Sequence, residues 1–223
     1  MKKIIPFCIA GIFLCTAFGA AALNTEGKTQ EPNGNKGAPL VFVYGTHGNN
    51  SWYISDVRIS FQWDPSDVRE IWYKIEGTWI NYTGEFTVSE DGMHNIPWYY
   101  IDKNNTIMDG LPIQFRIDQT LPIIEIAKRK LLKNQYKFTA TASDAASGLE
   151  KVEFYCDNVI QKTVTAAPYE WTWTGTENQE VKAIAYDNAG NLKESNILST
   201  PCSYIPNLYM FIRLLIQKFF HLV

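Results

Sequence analysis

Between residues 40 and 200, hydrophobic and polar residues alternate in short runs that turn residues separate. Alternation is typical of β-strands, because successive side chains point to opposite faces and only one face is buried. The runs that predict strands are 58–63, 69–76, 85–88, 95–101 and 113–118, followed by 137–142, 151–156, 169–173 and 181–186. No stretch of this region has the helical period of roughly 3.6 residues. The predicted fold class is therefore all-β.

The pattern occurs twice along the chain. Residues 64–77 parallel residues 144–157, and the alternating positions before Asp102 parallel those before Asp187, at offsets of about 80 and 85 residues. The boundary falls near residues 117–122, where Pro122 suits the start of an edge strand because proline donates no ladder hydrogen bond. The repeat predicts two tandem domains, residues 39–120 and 121–200.

The amino terminus has the layout of a secretory signal. Lys2 and Lys3 precede a charge-free apolar stretch, residues 4–18, and small residues follow it. We therefore predict a signal peptide over residues 1–22 and an exported, extracellular or envelope-associated protein. Residues 23–38 are rich in Gly, Asn, Lys and Pro without hydrophobic periodicity, which predicts a flexible linker.

The carboxy terminus, residues 201–223, changes character abruptly. On a helical period the polar side chains after residue 206 occupy an arc of about 140°, which predicts a short amphipathic helix. The apolar positions expected to face a membrane are Leu208, Phe211, Ile212, Leu215 and Phe219. At about 25 Å the helix is short for a crossing, so an in-plane membrane helix is favoured. Docking on protein and recognition by export machinery are the alternatives.

Composition narrows the function classes. The chain has 223 residues, 46% of them hydrophobic and 14% aromatic, which excludes a disordered polar chain. The net charge of −3 excludes nucleic-acid binding by a basic surface. After signal removal Cys156 and Cys202 remain. Because Cys156 alternates with Val152 and Phe154, a buried thiol is favoured, although an exported chain could oxidise the pair to a disulfide.

The sequence contains no recognisable catalytic constellation. The three histidines are far apart and have no metal-binding spacing, and no nucleophile elbow or phosphate loop occurs. We predict no enzyme activity and no cofactor. Four aspartates raise the question of calcium, namely Asp64, Asp102, Asp144 and Asp187. Each opens a turn, where an aspartate commonly accepts backbone amides, so a turn role is favoured and no metal site is predicted.

One group of aromatic residues falls outside the predicted core. Trp72 and Tyr99 lie on the face opposite Val68, Ile71 and their buried neighbours, and Lys74 lies beside them. Such a face could stack against sugar rings or anchor a partner. The alternative is that it packs against the neighbouring domain. Packing roles are predicted for four further aromatics, Trp79, Tyr82, Trp171 and Trp173.

Particular motifs carry a family resemblance. The runs DAASGLEKVEFY at 144–155, APY at 167–169 and AYDNAGN at 185–191 resemble a bacterial immunoglobulin-like (Ig-like) domain of surface proteins. The first half resembles a related Ig-like repeat of exoproteins in SWYISDV at 51–57, WINYTG at 79–84, EDGMH at 90–94 and RID at 116–118. It departs from the pattern at residues 102–106, which replace Asp-x-Ala-Gly-Asn, and at Pro97, inside a predicted strand.

The resemblance implies two tandem Ig-like β-sandwiches and says little about function, since such modules serve as spacers, adhesin stalks and appendages to enzymes. We expect a non-catalytic structural or adhesive surface protein with an unidentified protein or glycan partner and no nucleic acid. The alternative is a carbohydrate-binding module that uses Trp72 and Tyr99. A membrane surface is a further expected partner, through the C-terminal helix.

Overall fold

The computed structural model describes residues 28–30, 37–132, 134–175 and 179–200. Every regular element in these ranges is a β-strand, in agreement with the all-β prediction. The described ranges contain no helix long and apolar enough to span a bilayer. The predicted signal peptide, residues 1–22, and the predicted amphipathic helix within residues 201–223 lie outside the described residues and stay predictions.

The described residues of the first half form ten strands. They are β1 Lys28–Gln30, β2 Leu40–Tyr44, β3 Val57–Gln62, β4 Val68–Ile75, β5 Thr78–Asn81, β6 Phe86–Val88, β7 Gly92–Ile96, β8 Trp98–Asp102, β9 Ile107–Asp109 and β10 Ile113–Ile117. All strand pairs are antiparallel. Three sheets result, with strand orders β1-β2-β3-β6, β10-β7 and β5-β4-β8-β9.

In the second half, the part of the chain that the structure describes contains eight strands. They are β11 Ile123–Leu132, β12 Gln135–Ser143, β13 Leu149–Cys156, β14 Val159–Val164, β15 Tyr169–Thr174, β16 Glu180–Asp187, β17 Leu192–Glu194 and β18 Leu198–Ser199. One sheet has the order β11-β12-β15, and the other has the order β14-β13-β16-β17 with β18 also paired to β16. As expected after Pro122, β11 begins at Ile123 and is an edge strand of its sheet.

Two separate groups of buried side chains form the cores. The N-terminal core is built from β2, β3, β4, β7, β8 and β10, and it includes Ile59, Ile71, Trp98 and Ile117. The C-terminal core lies between the two sheets of the second half and includes Phe138 and Phe154. In each half, side chains from different sheets share one core, which gives a sandwich-like arrangement.

Alternation predicted the inward-facing positions correctly. In β4 and β8 the buried residues are Val68, Ile71, Tyr73, Trp98 and Tyr100, as expected, while Ile75, expected with them, is only partly buried against the core. Cys156 is a buried free thiol of β13, and its Sγ lies 3.1 Å from Gln179 Oε1. The predicted core position of Cys156 is therefore confirmed, while Cys202 lies outside the described residues.

The single strand predicted over residues 95–101 is wrong. Pro97 divides it into β7, which pairs with β10, and β8, which pairs with β4 and β9. Because proline has no amide hydrogen to donate, it interrupts a ladder, and here the chain changes sheets at that residue. The predicted flexible linker, residues 23–38, also needs correction, since residues 28–30 form β1 and pair with residues 41–43 of β2.

The two cores share no buried side chain, so we expect core substitutions to act locally. Phe138→Ala should lower the free energy of unfolding of the C-terminal core by about 3–5 kcal/mol, because Phe138 is fully buried. Urea unfolding followed by NMR signals of β4 and β13 measures the two cores separately. The β13 transition should move to lower urea while the β4 transition stays in place.

The control is Leu132→Ala, because Leu132 is 69% exposed and its loss should change stability by less than about 0.5 kcal/mol. Equal shifts of the β4 and β13 transitions in Phe138→Ala would show that the described chain unfolds as one unit. That result would contradict the predicted division into two domains.

Candidate functional site

The outer surface of the β5-β4-β8-β9 sheet brings the predicted binding residues together. Trp72 of β4 lies opposite Tyr99 of β8, and Lys74 lies opposite Trp79 of β5. The Trp72 and Tyr99 rings are 6.4 Å apart and almost parallel, at 10°. The Trp79 ring meets Tyr99 edge-on at 4.8 Å, and Lys74 Nζ lies 5.8 Å from the centre of the Trp79 ring. We call Trp72, Lys74, Trp79 and Tyr99 the aromatic face.

Trp79, which was assigned a packing role as a core or turn aromatic, packs on Tyr99 but lies outside the core, with its side chain 42% exposed. The cause is the hairpin between β4 and β5. Its two loop residues, Glu76 and Gly77, both have positive φ, as in the type I′ turn that suits a two-residue hairpin. The turn sets the register that pairs Trp79 with Lys74 on the outer surface. The three other aromatics predicted to pack, Tyr82, Trp171 and Trp173, do contact the cores.

The side chains of the aromatic face contact one another and the neighbouring Glu70. Trp72 donates its indole N–H to Glu70 Oε2 at 3.0 Å, and Trp72, Lys74 and Tyr99 are all half-buried. Trp79 is therefore the most accessible ring of the four. The binding role predicted for Trp72, Lys74 and Tyr99 stays a prediction.

A second group of polar residues lies where the two halves of the chain meet. Asp118 directly follows β10, Asp144 directly follows β12, and Asp187 ends β16. One carboxylate oxygen from each lies within 4.8 Å of the other two. Asp118 and Asp187 are 0% exposed. We call these three residues the acidic junction.

Asp144 and Asp187 each have the predicted role in their own turn. Asp144 Oδ1 accepts the amides of Ala146 and Gly148 at 3.1 and 2.7 Å. Asp187 Oδ1 accepts the amides of Gly190 and Asn191 at 2.7 and 2.8 Å. Both turns are therefore closed by aspartate side chains.

Equivalent turns occur in the first half. Asp64 Oδ1 accepts the Ser66 amide at 2.8 Å, and Asp102 Oδ1 accepts the amides of Asn104 and Thr106, both at 2.8 Å. The expected departure at residues 102–106 is thus small, because Asp102 closes its turn with a side-chain oxygen, as Asp187 does in the second half.

Asp118 links the two halves. Its Oδ2 accepts the Ser147 amide at 3.0 Å, and its backbone carbonyl accepts the side-chain amide of Asn191 at 3.0 Å. The same Asn191 Nδ2 lies 2.9 Å from Asp187 Oδ2. Burial raises the pKa of Asp118 above its usual range, and the nearby Asp144 and Asp187 carboxylates raise that pKa further.

Loop 45–56 makes a further set of contacts across the junction. Asn49 donates its amide to the Ala189 carbonyl at 2.7 Å, and Asn50 Nδ2 donates to the Asn188 carbonyl at 2.9 Å. Gly48 lies so close that a Cβ atom there would be 2.2 Å from Ala189 O. The turn after β16 is therefore held against the first half by backbone contacts.

The acidic junction has the chemistry of a hard-cation site. All its side-chain donors are carboxylate oxygens, which Ca²⁺ prefers. Within the described ranges it is the only group of three acidic, histidine or cysteine side chains close enough to share one ion. Asp144 Oδ2 is buried and has no hydrogen-bond partner among the described residues. The junction thus offers an oxygen that hydrogen bonding leaves unused.

Sequence reasoning assigned Asp144 and Asp187 to turns and noted Asp118 only at the domain boundary. The sequence pattern does not show that Asp118 lies near Asp144, because the two residues are 26 positions apart, belong to different halves and are brought together only by the tertiary fold. The position of Asp118 directly after the last strand of the first repeat was the available clue. The histidines have other surroundings, with His94 Nε2 2.7 Å from the Glu90 carbonyl and His47 packed on Tyr53.

Comparison with known families gives a match in the second half of the chain. Residues 129–190 match the bacterial Ig domain family. This confirms the resemblance to bacterial Ig-like domains noted from DAASGLEKVEFY and AYDNAGN. The matched bacterial Ig domain contains Asp144 and Asp187, whereas Asp118 precedes it. None of the curated proteins matches the chain.

Several solved structures are similar to the chain at low identity. The fibronectin(III)-like modules of Clostridium thermocellum CbhA are 22% identical, over 69% of this chain and 87% of that one, with a TM-score of 0.35. The D00-D0 domain of intimin is 10% identical, over 72% and 99% of the two chains, with a TM-score of 0.35. The BSP domain of a biofilm-associated protein is 17% identical, over 74% and 30%, with a TM-score of 0.27.

The close approach at Gly48 gives a test of the contacts beside the bacterial Ig domain. Gly48→Ala should break the bond from the Asn49 amide to Ala189 O, because the new methyl group would overlap that oxygen and the Ile54 side chain. Hydrogen exchange of the Asn49 amide should accelerate by about tenfold or more, since a hydrogen bond and local backbone packing are lost together.

Gly84→Ala is the matched control, because a Cβ at Gly84 would meet no atom within 4 Å. It should leave exchange of the Asn49 amide unchanged. Unaltered exchange in Gly48→Ala as well would show that loop 45–56 is not held against the 187–191 turn.

Proposed function

We propose that the protein is an exported, non-catalytic surface module made of two tandem Ig-like β-sandwiches, residues 39–120 and 121–200, with a structural or adhesive role. The observation that carries the proposal is the direct contact between the two halves. Only residues 118–122 separate β10 from β11, and within them Asp118 is fully buried. A connection of this kind favours a stiff spacer over a pair of freely moving domains.

Backbone contacts at the start of this connection support the same view. Tyr53 donates its amide to the Arg116 carbonyl and accepts the Asp118 amide, each at 2.8 Å. Arg116 also lies over the Trp52 ring, at 5.2 Å, and donates to the Asn50 carbonyl. The chain is therefore bonded to loop 45–56 as it leaves the N-terminal core. A stiff connection allows one sandwich to hold the other at a set distance from the envelope.

Residues 1–22 would direct export, and residues 207–223 would attach the module to the envelope. In this proposal the apolar positions of the terminal helix, Leu208, Phe211, Ile212, Leu215 and Phe219, lie in the plane of the membrane. The match to the bacterial Ig domain family supports a role outside the cytoplasm, because such domains are modules of surface proteins.

The carbohydrate-binding alternative is less well supported. A sugar ring needs an open aromatic face to stack on. Trp72 is instead stacked against Tyr99, and its indole N–H is bonded to Glu70. The aromatic face therefore serves mainly to pack the sheet surface, with Trp79 as its accessible edge.

Expression of the full chain in a bacterial host tests the location. An epitope inserted at Gly84, in an exposed loop, should be labelled by antibody on intact cells, and the protein should sediment with the envelope. Retention of residues 1–22 in a cytoplasmic product would contradict the export proposal.

Attachment is tested by charge substitutions that differ only in their side of the helix. Phe211→Glu with Leu215→Glu should release the protein into the medium, because two charges then enter the membrane-facing side. Gln217→Glu with His221→Glu is the control, since it adds the same residues on the polar side. Retention of both variants on cells would show that the terminal helix is not the anchor.

A further inference from the structure

The end of the C-terminal sandwich remote from the acidic junction carries a basic segment. β11 begins at Ile123, opposite Ser143 and so beside Asp144, and it reaches Leu132 about 30 Å further on. Its residues 128–130 read Lys-Arg-Lys, and all three side chains are exposed. Leu131 and Leu132 follow, 36% and 69% exposed. We call residues 128–132 the basic end.

Three consecutive cations stand out in this chain, because its net charge is −3. Arg129 lies directly opposite Lys137 of β12, and the nearby acid, Glu170, is already paired with Lys137 Nζ at 2.6 Å. No ion pair among the described residues includes Lys128, Arg129 or Lys130. Like charges opposite each other in a sheet cost stability. The basic end therefore has positive charge that an anionic partner outside the sandwich can neutralise.

The chain leaves the C-terminal sandwich beside the basic end. Asn196 Oδ1 accepts the Ile126 amide at 3.2 Å, and the Ser199 carbonyl accepts Lys128 Nζ. This last segment therefore runs alongside β11 in the same direction. Thr200, the next residue, is fully buried. The exit of the chain is thus held at the same end of the sandwich as the basic end.

The connection from this exit to the proposed membrane segment is short. Residues 201–206 separate Thr200 from residues 207–223, and six residues span about 20 Å when fully extended. If residues 207–223 lie in the membrane, the exit therefore stays within about 20 Å of the bilayer surface. The attraction of an anionic bilayer acts over a Debye length, about 8 Å at physiological ionic strength. A tilt of the sandwich about its exit brings the basic end into that range.

At the same end, the other sheet carries negative charge. Asp157 and Glu180 are exposed, and Asp157 Oδ1 accepts the Glu180 amide at 2.9 Å. An anionic surface repels these two carboxylates and attracts the cations of β11. The charges of the two sheets therefore favour one orientation, in which β11 faces the bilayer and the turn between β13 and β14 is tilted away from it.

We propose that the basic end docks on a bilayer that contains anionic phospholipids. Arg129 and Lys130 bind lipid phosphates, and the two leucines that follow enter the headgroup layer. Stable attachment commonly takes two signals, such as an inserted apolar group and a basic patch. The inference rests on the proposed function, because attachment of residues 207–223 brings the basic end to the bilayer.

Sedimentation of the purified full chain with lipid vesicles tests the proposal. The vesicles contain either phosphatidylcholine alone or equal parts of phosphatidylcholine and phosphatidylglycerol, which is anionic. Arg129→Gln with Lys130→Gln should lower the affinity for the anionic vesicles by about tenfold or more, because two charged contacts with lipid are lost. Its affinity for phosphatidylcholine vesicles should equal that of the parent protein.

Lys103→Gln with Lys193→Gln is the matched control. It removes the same charge from two exposed positions, one in the 102–106 turn and one in β17 opposite Ala185. The control should bind both kinds of vesicle like the parent protein. If Arg129→Gln with Lys130→Gln also binds the anionic vesicles as tightly as the parent, the proposal is overturned.

This experiment separates the basic end from the attachment through residues 207–223. Phe211→Glu with Leu215→Glu should weaken binding to both kinds of vesicle if residues 207–223 attach the protein. Loss of binding in that variant alone would leave the attachment in place and contradict docking of the basic end. Loss only in Arg129→Gln with Lys130→Gln would support the basic end and contradict the attachment. Failure of the parent protein to bind any vesicle would contradict both.

NMR of the full chain on nanodiscs of the same lipid mixture tests the orientation. A nitroxide on the lipid headgroups should broaden the amide signals of Leu131 and Leu132, because these residues lie at the bilayer surface, and leave the Gly84 signal of the first half unchanged. Uniform broadening, or none at Leu132, would contradict the docking. A Leu132 signal that shifts with protein concentration in the absence of lipid would show that a second copy of the chain covers the basic end instead.

Discussion

A carboxylate can leave water only where other groups replace the interactions it loses. This constraint acts most strongly at the junction, where Asp118 and Asp187 are fully buried. The Asp118 carboxylate accepts the amide of Ser147, and the side chain of Asn191 donates to the backbone carbonyl of Asp118 and to the carboxylate of Asp187. The partners of Asp118 are available only when the last strand of the N-terminal core lies against the turns of the C-terminal core, whereas Asp187 accepts its hydrogen bonds within its own turn. The satisfaction of buried carboxylates therefore determines how the two halves meet.

The two halves contain the same type of aspartate-closed turn, but only in the second half does its aspartate also belong to the acidic junction. Asp102 and Asp187 both end strands and accept the amide four residues ahead. The third turn residue after each has positive φ, namely Asn105 at 64° and Gly190 at 99°, because Asn and Gly both tolerate this conformation. What differs is the environment, since Asp187 has two carboxylates beside it. A common structural element has thus become part of an acidic cluster through its position.

Features that depend on neighbouring residues could be predicted from the sequence, whereas features that depend on contacts between distant strands could not. Period-two alternation is local, so it predicted the buried positions of Ile71 and Trp98 directly. The change of sheet at Pro97 and the exposure of Trp79 depend on which strands pair, which alternation does not encode. The role of Asp118 depends on contacts with residues far along the chain. The motifs that recur from one half to the other therefore indicated the fold. The residues that join the two halves could be identified only from the structure.

A spacer differs from a flexible string of domains only if its parts keep a constant orientation, and in this protein the contacts of the junction set that orientation. Residual dipolar couplings of the full chain measure this orientation directly. Backbone amides of β3, β4 and β8 and those of β12, β13 and β16 should fit one alignment tensor. Two tensors of different magnitude and direction would show that the halves move independently, which would contradict the account.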